Sequence, residues 1–181
     1  PFYNFVSDYI HGTPISRMVG GLPVLQFQNQ SRADLYGMDG EARFDLSEQF
    51  TLRGRWSYVR GINRDTGDNL YRIAPLRGTV GLQHHWRGWR SEIEVELADD
   101  QTEVAAYNGE LPTAGYALLH LRVGYNFHER LSLDVALENV FDDRYANHLD
   151  GINRVADSDV AVGARIPGAG RFFSASVSYR F

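Results

Sequence analysis

The 181-residue sequence has no cysteine and no lysine. Without cysteine, disulfide frameworks, thiolate zinc sites and thiol catalysis are excluded together. No apolar run approaches the roughly 18 residues of a transmembrane helix, so a helical span is excluded as well. A basic surplus is also missing: 18 basic residues stand against 23 acidic ones, for a net charge of −5. A sequence-independent grip on phosphates needs the opposite balance, so no nucleic-acid partner is expected. That every basic residue is Arg carries no function by itself, because a coding bias produces the same composition. Aromatics, by contrast, are plentiful at 13%, with ten Tyr, ten Phe and three Trp in a chain that is 43% apolar. Disorder is excluded, and the length suits one domain.

Mean hydropathy is −0.36. Spanning strands need only about 9 to 11 residues of alternating pattern, so a membrane protein is compatible with that value. The sequence opens at Pro1 without an initiator Met or a signal peptide, and its first residues read as the inside of a strand. A fragment or a processed chain is expected.

Alternation with period two runs almost from end to end. In 173–181, Phe173, Ala175, Val177, Tyr179 and Phe181 oppose Ser174, Ser176, Ser178 and Arg180, because successive strand side chains point to opposite faces. The same pattern predicts strands over 130–138, 119–127, 88–97, 76–86 and 50–58. A longer strand covers about 23–46, with a phase slip near Tyr36 to Met38 where Gly37 suits a β-bulge. A first strand at about 2–12 brings the count to eight.

The connections alternate too. Ser47-Glu48-Gln49, Arg87-Gly88 and His128-Glu129-Arg130 read as tight hairpins, whereas 13–22, 62–70, 99–114 and 148–168 read as long polar loops. Phe50, Trp86, Trp89, Tyr125, Phe127, Tyr179 and Phe181 gather at the short-turn end. Trimmed turns at one end, long loops at the other and an aromatic girdle describe an antiparallel transmembrane β-barrel portion. A soluble all-β domain is the competing fold, since it could expose the charged face instead, but its strands usually run about 5 to 6 residues.

The C-terminal residues also resemble a family. Leu137-Glu138-Asn139-Val140-Phe141-Asp142-Asp143-Arg144-Tyr145, then Ile166-Pro167-Gly168-Ala169-Gly170-Arg171 and the final Ser178-Tyr179-Arg180-Phe181 look like the end of a TonB-dependent outer-membrane receptor. Val140 replaces the commoner Leu. Gly115-Tyr116-Ala117-Leu118-Leu119, and Asn29 with Gly37-Met38-Asp39-Gly40-Glu41, resemble earlier strands of that family, Gly40 being an extra residue. The resemblance implies a 22-stranded barrel around an N-terminal plug, in the outer membrane of a Gram-negative bacterium. Residues 1–181 would supply its last eight strands, with periplasmic short turns and extracellular long loops, and without the plug or the TonB box. It further implies energy-coupled uptake of a scarce nutrient, chiefly a ferric siderophore or other metal chelate, copper included. The implied partners are outer-membrane lipid, the plug and remaining strands, TonB through the plug, the ligand, and the barrel-assembly machinery, which would read Tyr179 and Phe181. No resident cofactor is implied.

The face carrying Arg53, Arg55, Arg90, Glu92, Glu94, Glu96, Arg122, Asp134 and Glu138 is expected to form ion pairs along the lumen wall, because charges there need partners. Ligand capture is expected from the long loops, where Asp65, Asp68, Glu103, Tyr107, Asn108, Glu110, His148, Asp150, Asn153, Arg154, Asp157 and Asp159 fall. His11, Met18 and His148 lie toward that end and are donor types that suit copper. Asn147 to Val155 also resembles metal or metal-chelate receptors. His84 and His85 point to opposite faces and cannot chelate together. No Gly-x-Ser-x-Gly elbow accompanies the histidines, so an enzyme, such as a barrel hydrolase, is not expected. A free-standing eight-stranded barrel is the structural alternative, but it would crowd every lumenal charge into a narrow interior.

Overall fold

The computed structural model describes residues 1–128 and 130–181, Leu22 by its backbone alone. Eight antiparallel strands form one sheet in chain order. They are β1 Phe2–Val19, β2 Leu22–Asp45, β3 Phe50–Asn63, β4 Arg77–Trp86, β5 Trp89–Ala98, β6 Tyr116–His128, β7 Leu131–Glu138 and β8 Phe172–Tyr179. β1 and β8 do not pair with each other, so among the described residues the sheet is an open arc with two free edges.

The pairing puts the side chains where alternation predicts. Trp86 pairs with Trp89 and Trp89 with Tyr125, and the last two rings sit 4.6 Å apart. Phe50 stacks near His84 at 4.6 Å, and Tyr179 meets Phe181 edge-on at 5.2 Å. The aromatic band at the short-turn end therefore runs from β3 to β6 and resumes at Tyr179 and Phe181, with Leu131 of β7 between them. Phe44, Trp56, Val80, Ile93, Val123 and Val177 all remain exposed. No second layer covers this face among the described residues, as a soluble sandwich would require. The four fully buried apolar residues, Ala33, Leu70, Ala105 and Leu118, all lie toward the long-connection end.

Two expectations are corrected. Residues 13–22 are not a loop: β1 runs to Val19 and turns into β2 at Gly20-Gly21, both at positive φ of 58° and 79°. The polar run Thr13 to Arg17 looked like a loop, but it lies in a hairpin far longer than a bilayer requires. There is likewise no bulge at Gly37, where the β2–β3 register is unbroken from Asp45↔Thr51 to Ala33↔Asn63. The alternation changes phase at Asp8 and Ser31 instead. That pair is skipped in the β1–β2 ladder, and Asp8 sits at φ 54°. Below it the exposed apolar side chains are Tyr3, Phe5, Met38 and Phe44; above it they are Ile10, Leu25 and Phe27, of opposite parity. A further shift follows between Pro14 and Met18. Of the expected turn His128-Glu129-Arg130, Glu129 lies outside the described residues; His128 pairs with Leu131.

Gly40 is a packing requirement. A Cβ there would stand 2.1 Å from the Trp56 ring, its partner across the ladder, whereas at Gly54 the nearest atom is 4.0 Å away. Gly40→Ala should destabilise the folded protein by roughly 1 to 3 kcal/mol through overpacking, while Gly54→Ala should cost less than about 1 kcal/mol. Urea unfolding of the membrane-inserted protein checks the contrast.

Candidate functional site

The polar face is a connected wall. Arg122 donates from Nε and Nη2 to both carboxylate oxygens of Glu138 at 3.0 Å each, and from Nη1 to Glu94 at 2.9 Å. Glu92 lies 3.8 Å from the same guanidinium. Arg90 pairs with Asp134 at 2.6 Å, Arg55 with Glu41 at 3.6 Å, and Tyr116 donates to Glu96 at 2.9 Å. His120 contacts Glu138 and lies 3.7 Å from Glu96. Arg53 differs, with its Nε buried and unpartnered among the described residues. The wall charges thus pair across strands, and a trough of about 330 Å³ beside Gln83, His85, Arg90, Glu92, Arg122 and Asp134 stays open.

Above the wall, three long connections are folded rather than loose. In 64–76, Leu70 docks on Gly61, and its N–H donates to the Gly61 carbonyl at 2.9 Å. In 99–115, Gln101 bridges Thr113 across the base, and a short 3-10 turn at Ala106–Asn108 ends on Gly109 at φ 66°. In 139–171 the residues that carried the family resemblance meet one another. Asn139, 2% exposed, donates from Nδ2 to the carbonyls of Asp143 and Ala169 at 2.9 and 3.2 Å, and Asp142 accepts from the Arg171 amide at 2.8 Å. The Tyr145 ring occupies the space a Cβ on Gly168 would need. The segment after β7 and the segment before β8 are one docked unit.

These connections are tied together by a buried latch. His148 Nε2 donates to Glu110 Oε1 at 3.0 Å, and Thr113 Oγ1 meets His148 Nδ1 at 2.8 Å. The Glu110 carboxylate also accepts the Arg72 amide at 3.0 Å and the Ala105 amide at 2.8 Å, so one carboxylate joins all three connections. Arg165 donates to the His148 and Leu111 carbonyls, and Arg72 to that of Leu149. Burial alone would raise the Glu110 carboxyl. The hydrogen bonds from His148, Ala105 and Arg72 outweigh it and hold the group below its ordinary value. Glu103 accepts from Asn69 at 3.2 Å and pairs with Arg60 at 2.8 Å, which holds its carboxyl below the usual range.

The ligand candidates from the sequence now divide. Glu110, His148, Glu103, Asn153 and Asp65 are structural ties: Asn153 donates to Val155 and Val160, and Asp65 accepts the Ser31 amide at 2.6 Å. Tyr107 and Asn108 meet His11, itself 6% exposed, at Nε2, the Asn108 amide at 2.9 Å. Burial pushes the Tyr107 hydroxyl up to about 12. Asp68, Asp150, Arg154, Asp157 and Asp159 are exposed. Met18 is exposed near the tip of the β1–β2 hairpin. Both ring nitrogens of His148 are engaged, and among the described residues no three His, Asp or Glu side chains are grouped to hold a metal. Sequence reasoning missed Arg72, Gln101, Thr113 and Arg165, whose partners are far away in the chain. Asn139 belongs to the motif that carries the family resemblance.

His148→Ala and Glu110→Gln each strand a buried partner, at a cost of about 3 kcal/mol. Hydrogen exchange of 105–113 and 147–153 should speed up roughly 100-fold, with the strands unaffected. Because the Glu110 carboxyl is depressed, the latch is fully stabilising at neutral pH. That contribution is lost as pH falls through the folded value, below the ordinary 4.5. Loop protection measured from pH 7 to pH 3 should fall only at the acid end.

Comparison with known proteins places this architecture. The copper transporter OprC superposes with TM-score 0.88 at 22% identity, over 99% of this chain and 28% of that one. A variant of the ferric enterobactin receptor PfeA of Pseudomonas aeruginosa gives 0.69 at 20% identity, over 99% and 28%. The ferric yersiniabactin uptake receptor FyuA of Yersinia pestis gives 0.69 at 17%, over 99% and 26%. The chain thus spans under a third of the length of these structures. Among curated protein sequences none matches. The model of the TonB dependent receptor-like β-barrel matches residues 2–140, and with that match, the open arc and the paired wall, the chain belongs to the TonB-dependent receptor β-barrel family.

Proposed function

We propose that these residues form the C-terminal part of the barrel of a Gram-negative outer-membrane receptor that takes up a scarce nutrient by TonB-coupled transport. The observation that carries this reading is the family match over residues 2–140 on a sheet whose apolar face is bare and whose polar face is paired. On this reading the apolar face meets lipid, and the two free edges join the remaining strands of the barrel. The plug fills the space inside the charged wall and engages TonB from the periplasm. The short turns are periplasmic and the latched connections extracellular.

The cargo in this reading is a metal chelate, a ferric siderophore or a copper species, consistent with what the names of OprC, PfeA and FyuA say of those proteins. In this reading exposed Asp68, Asp150, Arg154 and Asp157 touch it, together with the half-buried Tyr107 and Asn108, which rest on buried His11. The latch keeps that surface in one arrangement, so ordering the loops costs less on binding. Tyr179 and Phe181 at the end of the chain would be read by the assembly machinery.

Cells carrying the full-length receptor should accumulate labelled ferric chelate or copper faster than cells lacking it, and a protonophore should abolish the difference. Equal uptake by both strains for every chelate tried would refute the transport reading. Phe181→Ala should lower the amount of correctly inserted receptor several-fold, measured by outer-membrane fractionation. Unchanged insertion would remove the assembly role.

A further inference from the structure

Arg32 and Arg64 stand on the apolar face of the sheet, where Arg60 is already paired with Glu103. The unbroken β2–β3 ladder puts Asp34 on the same face as Met38 and Phe44. Asp34 is fully buried and is held by Arg32 Nε at 3.0 Å, Arg64 Nε at 2.5 Å and the Tyr3 hydroxyl at 2.9 Å. Both arginine side chains nevertheless remain about half exposed, at 51% for Arg32 and 44% for Arg64. Exposed Phe5 lies 4.9 Å from the Arg32 guanidinium, and Tyr3 stacks on Tyr36 at 5.6 Å. Asp65, next to Arg64, is committed to the Ser31 amide. One carboxylate therefore fixes two forks and leaves a net positive charge with unused N–H donors.

The height of this cluster gives it a meaning. From Asp45 at the short-turn end to Asp34, the strand climbs about 37 Å along its axis. At a tilt of about 40° that is roughly 28 Å, against an apolar band of about 25 Å. The arginines thus stand just above the hydrocarbon on the lipid side, at the depth of the outer headgroups, where anionic groups attract basic side chains. Lower on the same face, Gly54 and Gly78 floor a groove of about 530 Å³ walled by Trp56, Leu76, Val80 and Leu97. Its lining is apolar and its width comes from two missing side chains.

Resting on the outer-membrane reading above, we propose that Arg32 and Arg64 bind the phosphate of an outer-leaflet lipid, with an acyl chain lying in the groove between Trp56 and Leu97. Asp34 acts as a positioning residue: it neutralises one charge and holds both guanidiniums on the lipid side. Charge complementarity selects a phosphate-bearing lipid over a neutral one, and the groove selects a lipid over free phosphate.

The test uses the full-length receptor extracted from outer membrane into detergent, with native mass spectrometry reading bound phosphatidic acid, diacylglycerol and inorganic phosphate in parallel. Phosphatidic acid should bind, and the pair Arg32→Gln with Arg64→Gln should weaken it about 25-fold, at about fivefold for each basic residue. Arg64→Gln alone, at the exposed rim, should weaken it about fivefold and serves if the pair fails to assemble. The pair Arg32→Lys with Arg64→Lys should keep most of the binding. Equal retention by wild type and the Gln variants, or equal binding of diacylglycerol or of inorganic phosphate, would overturn the proposal while leaving the outer-membrane reading intact. Absence of the wild-type receptor from the outer-membrane fraction would overturn both.

Discussion

A peptide group left unpaired in hydrocarbon costs several kcal/mol, so a chain that crosses a bilayer as strands must satisfy each strand from its neighbours. That constraint organises this molecule. It explains why every strand pairs with its sequence neighbours in antiparallel register and why tight turns suffice at one end. It also explains why the sheet tolerates a bare apolar face. The side chains then divide by parity, apolar toward lipid and charged toward the interior. The charged set survives there because Arg122, Glu94, Glu138, Arg90 and Asp134 neutralise one another across three strands. Among the described residues the sheet ends at β1 and β8, and further strands would meet the constraint at those edges.

The long connections solve a different problem. Out of the membrane, water can satisfy a loop's backbone, so nothing forces these segments to fold. They fold because small buried devices are built into each one: Leu70 against Gly61, Asn139 across Asp143 and Ala169, and the Glu110 to His148 pair between connections. A carboxylate that accepts from a histidine and two amides in separate segments makes their positions interdependent. The long connections behave as one platform on a rigid wall, an arrangement suited to recognition by exposed residues.

The wall was legible in the sequence because its rule is local. Alternation located all eight strands, and the aromatic girdle marked which end carried the short turns. What failed was local in appearance but set by neighbours. Thr13 to Arg17 carry turn-like residues, yet they stay within β1, with Thr13 and Pro14 paired to Gln26 and Leu25 and Met18 to Pro23 beyond them. Alternation in the sequence puts a phase slip near Tyr36 to Met38, where Gly37 suits a bulge. The ladder instead breaks at Asp8 and Ser31, two residues 23 apart in sequence whose coupling no periodicity reveals. The latch was half visible. In the sequence Glu110 and His148 read as loop polar residues with ligand chemistry, but their pairing spans 38 positions and joins groups that no motif connects. Their burial turns residues that look like ligands into structural ties. The lipid-side arginines were hidden for the same reason, since Arg32 and Arg64 become a pair only through Asp34.

In the function proposed above, the open arc is completed by strands and a plug from the same polypeptide. The intact mass of the native polypeptide that ends at Phe181, taken from an outer-membrane preparation, tests this directly. A mass several times the 20.5 kDa of these residues is the predicted result. A mass near 20.5 kDa would contradict it, because eight strands would then have to close by themselves around the charged wall.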